Sequence, residues 1–139
     1  MTLSKPPLQA PVPNRRTATF LAGWNEGTFP LRGCIACGTV NEPEAEQCSA
    51  CSATKFESID ASGMATLVSW TVPHHRNVGG DVEPTGILAL AELDEGPWWW
   101  AALLADDADA LEVGLRLRLR FDEVPGVGQR VVVLVKDAS

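Results

Sequence analysis

All four cysteines of the chain fall within CIACGTVNEPEAEQCSAC, residues 34–51, as two pairs of one spacing: Cys34-x2-Cys37 and Cys48-x2-Cys51, with ten residues between them. Each tight pair can offer two thiolates to one ion from a single turn of backbone, and two such knuckles facing each other close a tetrahedron. Gly38, directly after the second cysteine, permits the left-handed conformation that turns amide N–H groups toward thiolate sulfur. Zinc suits this cage because its filled d shell imposes no geometry and it matches four sulfurs. The same cage accepts iron, as in a rubredoxin, but zinc is the expected occupant. Four protein ligands leave no open position for water or substrate, so the expected metal is structural. An ion of this kind contributes on the order of 10 kcal/mol of folding free energy.

Little else in the chain could do chemistry. His74 and His75 are the only histidines, adjacent to each other and to Arg76. Neighbours on extended backbone point opposite ways, which makes them poor joint metal ligands. A solvated polar loop is the simpler reading; the sharper one has His74, His75 and Arg76 touching the phosphates of a ligand or a partner protein. Arg116, Arg118 and Arg120 alternate with Leu115, Leu117, Leu119 and Phe121, so the apolar set should face a barrel interior and the arginines the other side. They would pair with carboxylates on neighbouring strands, Glu92 or Asp94 among them, or grip the phosphates of a ligand with their guanidinium forks. No cysteine is left over as a nucleophile, and there is no Gly-x-Ser-x-Gly elbow or glycine-rich phosphate loop. The chain reads as non-enzymatic by itself.

The elements that must position these residues follow from patterning. The 139 residues are 45% hydrophobic, enough for one folded domain with a metal-stapled module. The first sixteen residues hold four prolines and no apolar stretch of export-signal length, so they read as a mobile tail, and no run is long enough to cross a membrane. A cytoplasmic, reducing location is expected, where cysteines so paired are metal ligands more often than disulfides. Phe20, Leu21 and Trp24 recur at helical spacing, with Thr17 or Thr19 to cap and Gly27 to stop. Strands are expected over 65–72, 87–93, 98–104, 115–121 and 131–135, with a loop after the first. Asp94-Glu95-Gly96-Pro97 should make the second and third a hairpin, and 105–114 should form an acidic turn or helical stub. Alternation sends the middle member of Trp98-Trp99-Trp100 to the opposite face from its neighbours. Trp24 and Trp99 are candidate partner contacts, though either could pack on this chain's own ribbon or helix.

The expected architecture is mainly β: a tail over 1–16, an N-terminal helix over 17–30, a rubredoxin-like zinc ribbon over 31–58, and a five-stranded OB-fold barrel over 59–139. A helical piece between strands three and four is the order of the OB barrel; an SH3-like barrel or a small sandwich would give much the same string.

FLAGWNEG, the LRGCIACG knuckle, the second Cys-x2-Cys, SGMATLVSWTV, ALAELDEG and LEVGLRLRLRF occur in that order. Together they resemble the acyl-CoA-associated family long catalogued as domain of unknown function 35, over about residues 18–136. That resemblance implies a helix, a zinc ribbon and an OB-fold domain in an accessory subunit of a thiolase-like enzyme: a thiolase, a hydroxymethylglutaryl-CoA synthase-like enzyme, an acyltransferase or a steroid side-chain aldolase. The enzyme would supply the nucleophile, and the accessory chain would support a hetero-oligomer and help it handle acyl-CoA, which makes coenzyme A the ligand whose phosphates His74, His75, Arg76, Arg116, Arg118 and Arg120 would touch. Two features depart from the family: Glu83-Pro84-Thr85 stands where many members have an aromatic-proline step, and the triple Trp is unusual.

A zinc-ribbon/OB-fold chain could instead bind nucleic acid. Charge separates the readings. The net charge is −7, and residues 81–112 hold nine carboxylates and no Lys or Arg. Affinity for a phosphate backbone rests on cations, so nucleic acid is not the expected partner.

Overall fold

The computed structural model describes residues 11, 13–15, 17–84 and 86–137. Most of the expected tail, including residues 1–10, lies outside the described residues.

Helix α1 spans Ala18–Asn25 and buries Phe20, Leu21, Gly23 and Trp24. Its end is a Schellman motif: Thr28 N–H donates to the Gly23 carbonyl at 2.9 Å and Gly27 N–H to that of Trp24 at 3.1 Å, with Gly27 at φ 81°. Thr17 occupies the N-cap position without a side-chain cap bond. Its hydroxyl accepts the Asn14 N–H at 2.8 Å, while Thr17 N–H donates to Asn14 Oδ1 at 3.1 Å. Eight residues are too few for a helix to persist alone. Packing holds this one in place, Phe20 and Trp24 lying against Phe29 and Trp99.

A three-stranded antiparallel sheet follows, ordered β2-β1-β3 from β1 (Pro30–Cys34), β2 (Val40–Asn41) and β3 (Phe56–Asp60). Gly33 faces Glu57 across the β1–β3 ladder, and a Cβ there would run into Ile59.

The remaining chain closes a barrel from β4 (Met64–Thr71), β7 (Ile87–Leu93), β8 (Trp98–Leu104), β9 (Arg116–Glu123) and β10 (Arg130–Lys136). Counted one to five along the chain, its neighbours run 1-2-3-5-4-1. The only parallel contact pairs Val133, Leu134 and Val135 of β10 with Ala102, Leu103 and Leu104 of β8. This is the five-stranded OB barrel. Leu67, Ala65, Ala91, Leu93, Leu103, Leu117 and Leu134 fill it. The register shift between Leu67 and Ser69 is a bulge that bends β4 for closure. The expected bounds of β7 and β8 match those observed, and a single 3-10 turn, Ala108–Ala110, sits where a helical stub was expected.

One expectation changes. The sequence predicts a loop after β4, where Pro73, Gly79, Gly80 and Pro84 lie. That segment contains a hairpin of β5 (His74–Arg76) and β6 (Val82–Pro84). The Asn77–Gly80 turn closes it: Gly80 N–H donates to the Asn77 carbonyl at 2.9 Å, and Asn77 N–H to that of Asp81 at 2.7 Å.

Candidate metal centre and surrounding surfaces

The two knuckles share one pattern of backbone hydrogen bonds. Cys34 N–H donates to the Thr39 carbonyl and Gly38 N–H to that of Cys34, both at 2.8 Å. In the second knuckle Cys48 N–H donates to the Ala53 carbonyl at 2.8 Å and Ser52 N–H to that of Cys48 at 2.9 Å. The residue after each pair is left-handed, Gly38 at φ 80° and Ser52 at φ 64°. Ser52 is the one non-glycine with positive φ among the described residues.

The four sulfurs lie within 4.8 Å of one another. Cys34 Sγ is 3.6 Å from Cys51 Sγ, and Cys37 Sγ is 3.6 Å from Cys48 Sγ. A tetrahedral ion with metal–sulfur bonds of about 2.3 Å needs sulfur–sulfur edges of about 3.8 Å, so the cage fits one metal ion. Cys34 and Cys48 are buried while Cys37 and Cys51 face outward.

Polar groups around the sulfurs favour negative charge. The Asn41 carboxamide donates toward Cys48 Sγ at 3.6 Å, its oxygen accepts the Ser49 N–H at 2.9 Å, and Ala50 N–H points at Cys48 Sγ from 3.4 Å. Asn41 is the one buried polar side chain among the described residues, and these bonds account for its burial. Burial works against the Cys48 thiolate, but the Ala50 and Cys51 amides, Asn41 and the Cys37 sulfur outweigh it and bring the thiol down to about 6. The Thr39 hydroxyl and then its amide hold the Cys37 thiol below its usual value. At Cys51 the Ala53 amide favours the thiolate. The sulfurs of Cys34 and Cys37, burial and the Cys48 sulfur together override it and push the thiol up to about 12. Crowded sulfurs without a cation cannot all ionise; a divalent ion removes that conflict.

The other candidate residues do not converge on this centre. His74, His75 and Arg76 are exposed on the β5–β6 hairpin, successive residues on opposite faces of β5. Arg116 grips both oxygens of Asp94 at 2.8 and 2.9 Å and also donates to Thr66 Oγ1. Arg120 grips both oxygens of Asp122 at 2.7 Å. Arg118 borders a cavity of about 250 Å³ with Phe29, Met64 and Phe121. Glu92, considered as an arginine partner, instead accepts the Trp98 indole N–H at 2.9 Å.

Trp24 and Trp99 require a correction as surface contacts. Trp24 is 7% exposed, and Trp99 is packed edge-on against Phe20, Trp24 and Phe29 at centroid distances of 6.1, 6.2 and 5.2 Å. Trp99 shares the inward parity of Ala101 and Leu103, and α1 covers it. The outward indoles are Trp98 and Trp100. Alternation requires one set in and one set out, but only the element lying over the barrel end decides which.

A four-thiolate ribbon joined to an OB barrel is thus the class of molecule that fold and site define. Residues 58–122 match the family described as ChsH2, C-terminal OB-fold domain. The chain is 28% identical over 124 residues to a probable enoyl-CoA hydratase alpha subunit of Thermomonospora curvata, covering 88% of this chain and 39% of that protein. It therefore spans about two fifths of the curated relative's length. Among solved structures, a chain of an Ltp2-ChsH2(DUF35) aldolase superposes with TM-score 0.77 at 24% identity, covering 91% of this chain and 98% of the other. A protein of unknown function from the DUF35 family of Sulfolobus solfataricus superposes with TM-score 0.63 at 16% identity, covering 89% and 87%. The barrel segment is thus similar to the ChsH2 C-terminal OB-fold domains. The chain as a whole has the fold of the domain of unknown function 35 family, which bears out the resemblance seen in its sequence.

Proposed function

We propose that this chain is a non-catalytic subunit that assembles with a thiolase-like enzyme and assists its handling of acyl-CoA, with a structural zinc ion in its ribbon. The observation that carries the reading is the fold match along nearly the full length of a chain from an Ltp2-ChsH2(DUF35) aldolase. The relative named as an enoyl-CoA hydratase alpha subunit points the same way. The cage supports a structural metal, since four thiolates saturate a tetrahedral ion. With two of the three outward arginines of β9 engaged by the chain's own carboxylates, Arg118, His74, His75 and Arg76 are the candidate contacts to coenzyme A phosphates.

Co-expression with a thiolase-like enzyme from the same organism tests the reading. A stable hetero-oligomer on size exclusion, with enzyme activity lower when the chain is omitted, is the expected result. Separate elution, together with an enzyme fully active by itself, would overturn it.

A further inference from the structure

The two knuckles are anchored to the rest of the chain very differently. The first is the turn of a hairpin: β1 runs into Cys34, and β2 returns beside it with Val40 opposite Gly33 and Asn41 opposite Arg32. The second has no such frame, because no helix or strand lies between β2 and β3. Its backbone bonds at Cys48 and Ser52 close the turn on itself, and Ala50 N–H also points inward, to Cys48 Sγ. Past the knuckle, Ile35 N–H takes the Lys55 carbonyl at 3.2 Å. Within it, the Ser49 N–H leaves the turn and donates to Asn41 Oδ1 at 2.9 Å.

Asn41 stands on β2, in the first hairpin, and its carboxamide spans the gap to the second knuckle. Its Nδ2 donates to the Thr39 carbonyl at 3.1 Å and toward Cys48 Sγ at 3.6 Å, while Oδ1 accepts from Ser49. The neighbours fix this orientation, since a carbonyl and a thiolate can only accept and a backbone N–H can only donate. Asn41 is 5% exposed, so water cannot readily replace any of these bonds once it is broken. Each knuckle supplies two of the four sulfurs. Full release of an ion therefore requires the knuckles to part, and parting breaks the bonds that Asn41 makes across them.

We infer that Asn41 is a positioning residue of the metal centre: its carboxamide clamps the second knuckle to the first and sets how slowly the ion leaves. The inference rests on the reading of the cage as a structural metal site and adds to it the residue that governs retention. The donor half of the carboxamide is the part that matters, because it alone reaches a ligand sulfur; the acceptor half holds the Ser49 turn.

The test is the rate at which the zinc-loaded chain gives up its ion to an excess of a chromogenic pyridylazo chelator, for wild type, Asn41→Asp and Asn41→Ala. The aspartate variant keeps the shape and the acceptor for Ser49 but sets an oxygen against Thr39 and Cys48, where a donor was. The alanine variant removes both halves. Release should quicken by at least about 10-fold in each, the scale on which groups behind metal ligands act, and the aspartate variant should release no more slowly than the alanine variant. With cobalt in the cage, the thiolate-to-metal charge-transfer band should move to longer wavelength in both, since a sulfur that loses a hydrogen bond gives up its electrons more readily. Far-ultraviolet circular dichroism should stay that of the wild type, because the carboxamide braces the ribbon and not the barrel. Should the aspartate variant fail to fold, the release rate and cobalt band of the alanine variant decide by the same criteria. A folded aspartate variant that retains zinc as long as the wild type, or a cobalt band that stays in place while release quickens, overturns this inference and leaves the metal site standing. Loss of the barrel in both variants overturns it too, by making Asn41 a residue of the fold as a whole. A wild type that takes up neither zinc nor cobalt overturns this inference and the structural-metal reading together.

Discussion

Ser52 shows how closely the two knuckles are matched. Its position is the counterpart of Gly38, and both backbones adopt the left-handed conformation that lets a fifth residue's N–H close the turn. A side chain there carries a steric cost that glycine avoids, whereas glycine adds freedom to the unfolded chain. Ser52→Gly should therefore stabilise the metal-loaded protein by about 0.5 kcal/mol, the balance of those two effects, read as a higher denaturant midpoint with unchanged metal content. The Asp94–Arg116 pair sets a weak pH dependence. The hydrogen-bonding Arg116 holds the Asp94 carboxyl below its ordinary value. Its contribution is thus complete above the unfolded carboxylate value and is lost as pH falls through the lowered folded value. Both side chains are more than two fifths exposed, so solvent screens them. Asp94→Asn should lower Tm by about 2 °C or less at neutral pH. The difference should disappear in acid and shrink in strong salt; a gap that widened on acidification would contradict the assignment.

At the scale of elements, the position of α1 over the ribbon and barrel depends on a glycine. A Cβ at Gly23 would sit 2.5 Å from Pro30 Cγ and 2.8 Å from Pro30 Cδ, and a proline ring on β1 cannot swing aside. At Gly33 the clash is with the end of the Ile59 side chain, which can change rotamer. Gly23→Ala should cost about 2 kcal/mol or more, in the range of overpacked cores, and Gly33→Ala distinctly less; thermal melts of the two variants decide this. Displacement of α1 would also uncover Trp99, so a red-shifted tryptophan emission should accompany Gly23→Ala but not Gly33→Ala. Gln129 and Asn25 fasten the same contact: Gln129 Nε2 donates to the Leu21 carbonyl at 3.1 Å, and Arg130 N–H donates to Asn25 Oδ1 at 2.8 Å.

Across the whole molecule one apolar core runs from α1 through Phe29 and Leu31 into the barrel, while the segment between β1 and β3 depends on its cage. Residues 35–55 supply no large buried apolar side chain, and the buried residues there are Asn41, Pro43 and Cys48. Removing the metal should therefore loosen the knuckles without opening the barrel. After chelation, the amides of Gly38, Cys48 and Ser52 should exchange with solvent by at least about 100-fold faster, the effect of losing a few kcal/mol of local protection. Those of Leu67, Leu119 and Leu134 should stay protected, as hydrogen-exchange mass spectrometry would show. Equal loss of protection in both regions would mean that ribbon and barrel unfold as one unit. The acidic charge of the β7–β8 region also bears on partners as a whole, since an OB barrel that grips single strands needs a basic groove.

Much of this molecule was legible in the order of its residues, because the information is local. Two equal Cys-x2-Cys spacings are enough to specify a cage, and strict alternation in LRLRLRF is enough to specify a strand with one apolar face. The Asp-Glu-Gly-Pro turn fixes where β7 ends and β8 begins. Short strands escaped for the same reason: β2 has two residues and β5 and β6 three each, too few to show a period. What only the tertiary structure decided is phase and closure. Trp98, Trp99 and Trp100 alternate whichever way they face, and α1, lying over one end of the barrel, turned Trp99 inward and left its neighbours in solvent. Asn41 and Ser52 look like ordinary loop residues until the second knuckle folds back onto the first. The parallel β8–β10 contact that seals the barrel joins residues about thirty positions apart. No pattern within either strand encodes that contact, because it exists only once the other strands have brought those two edges together.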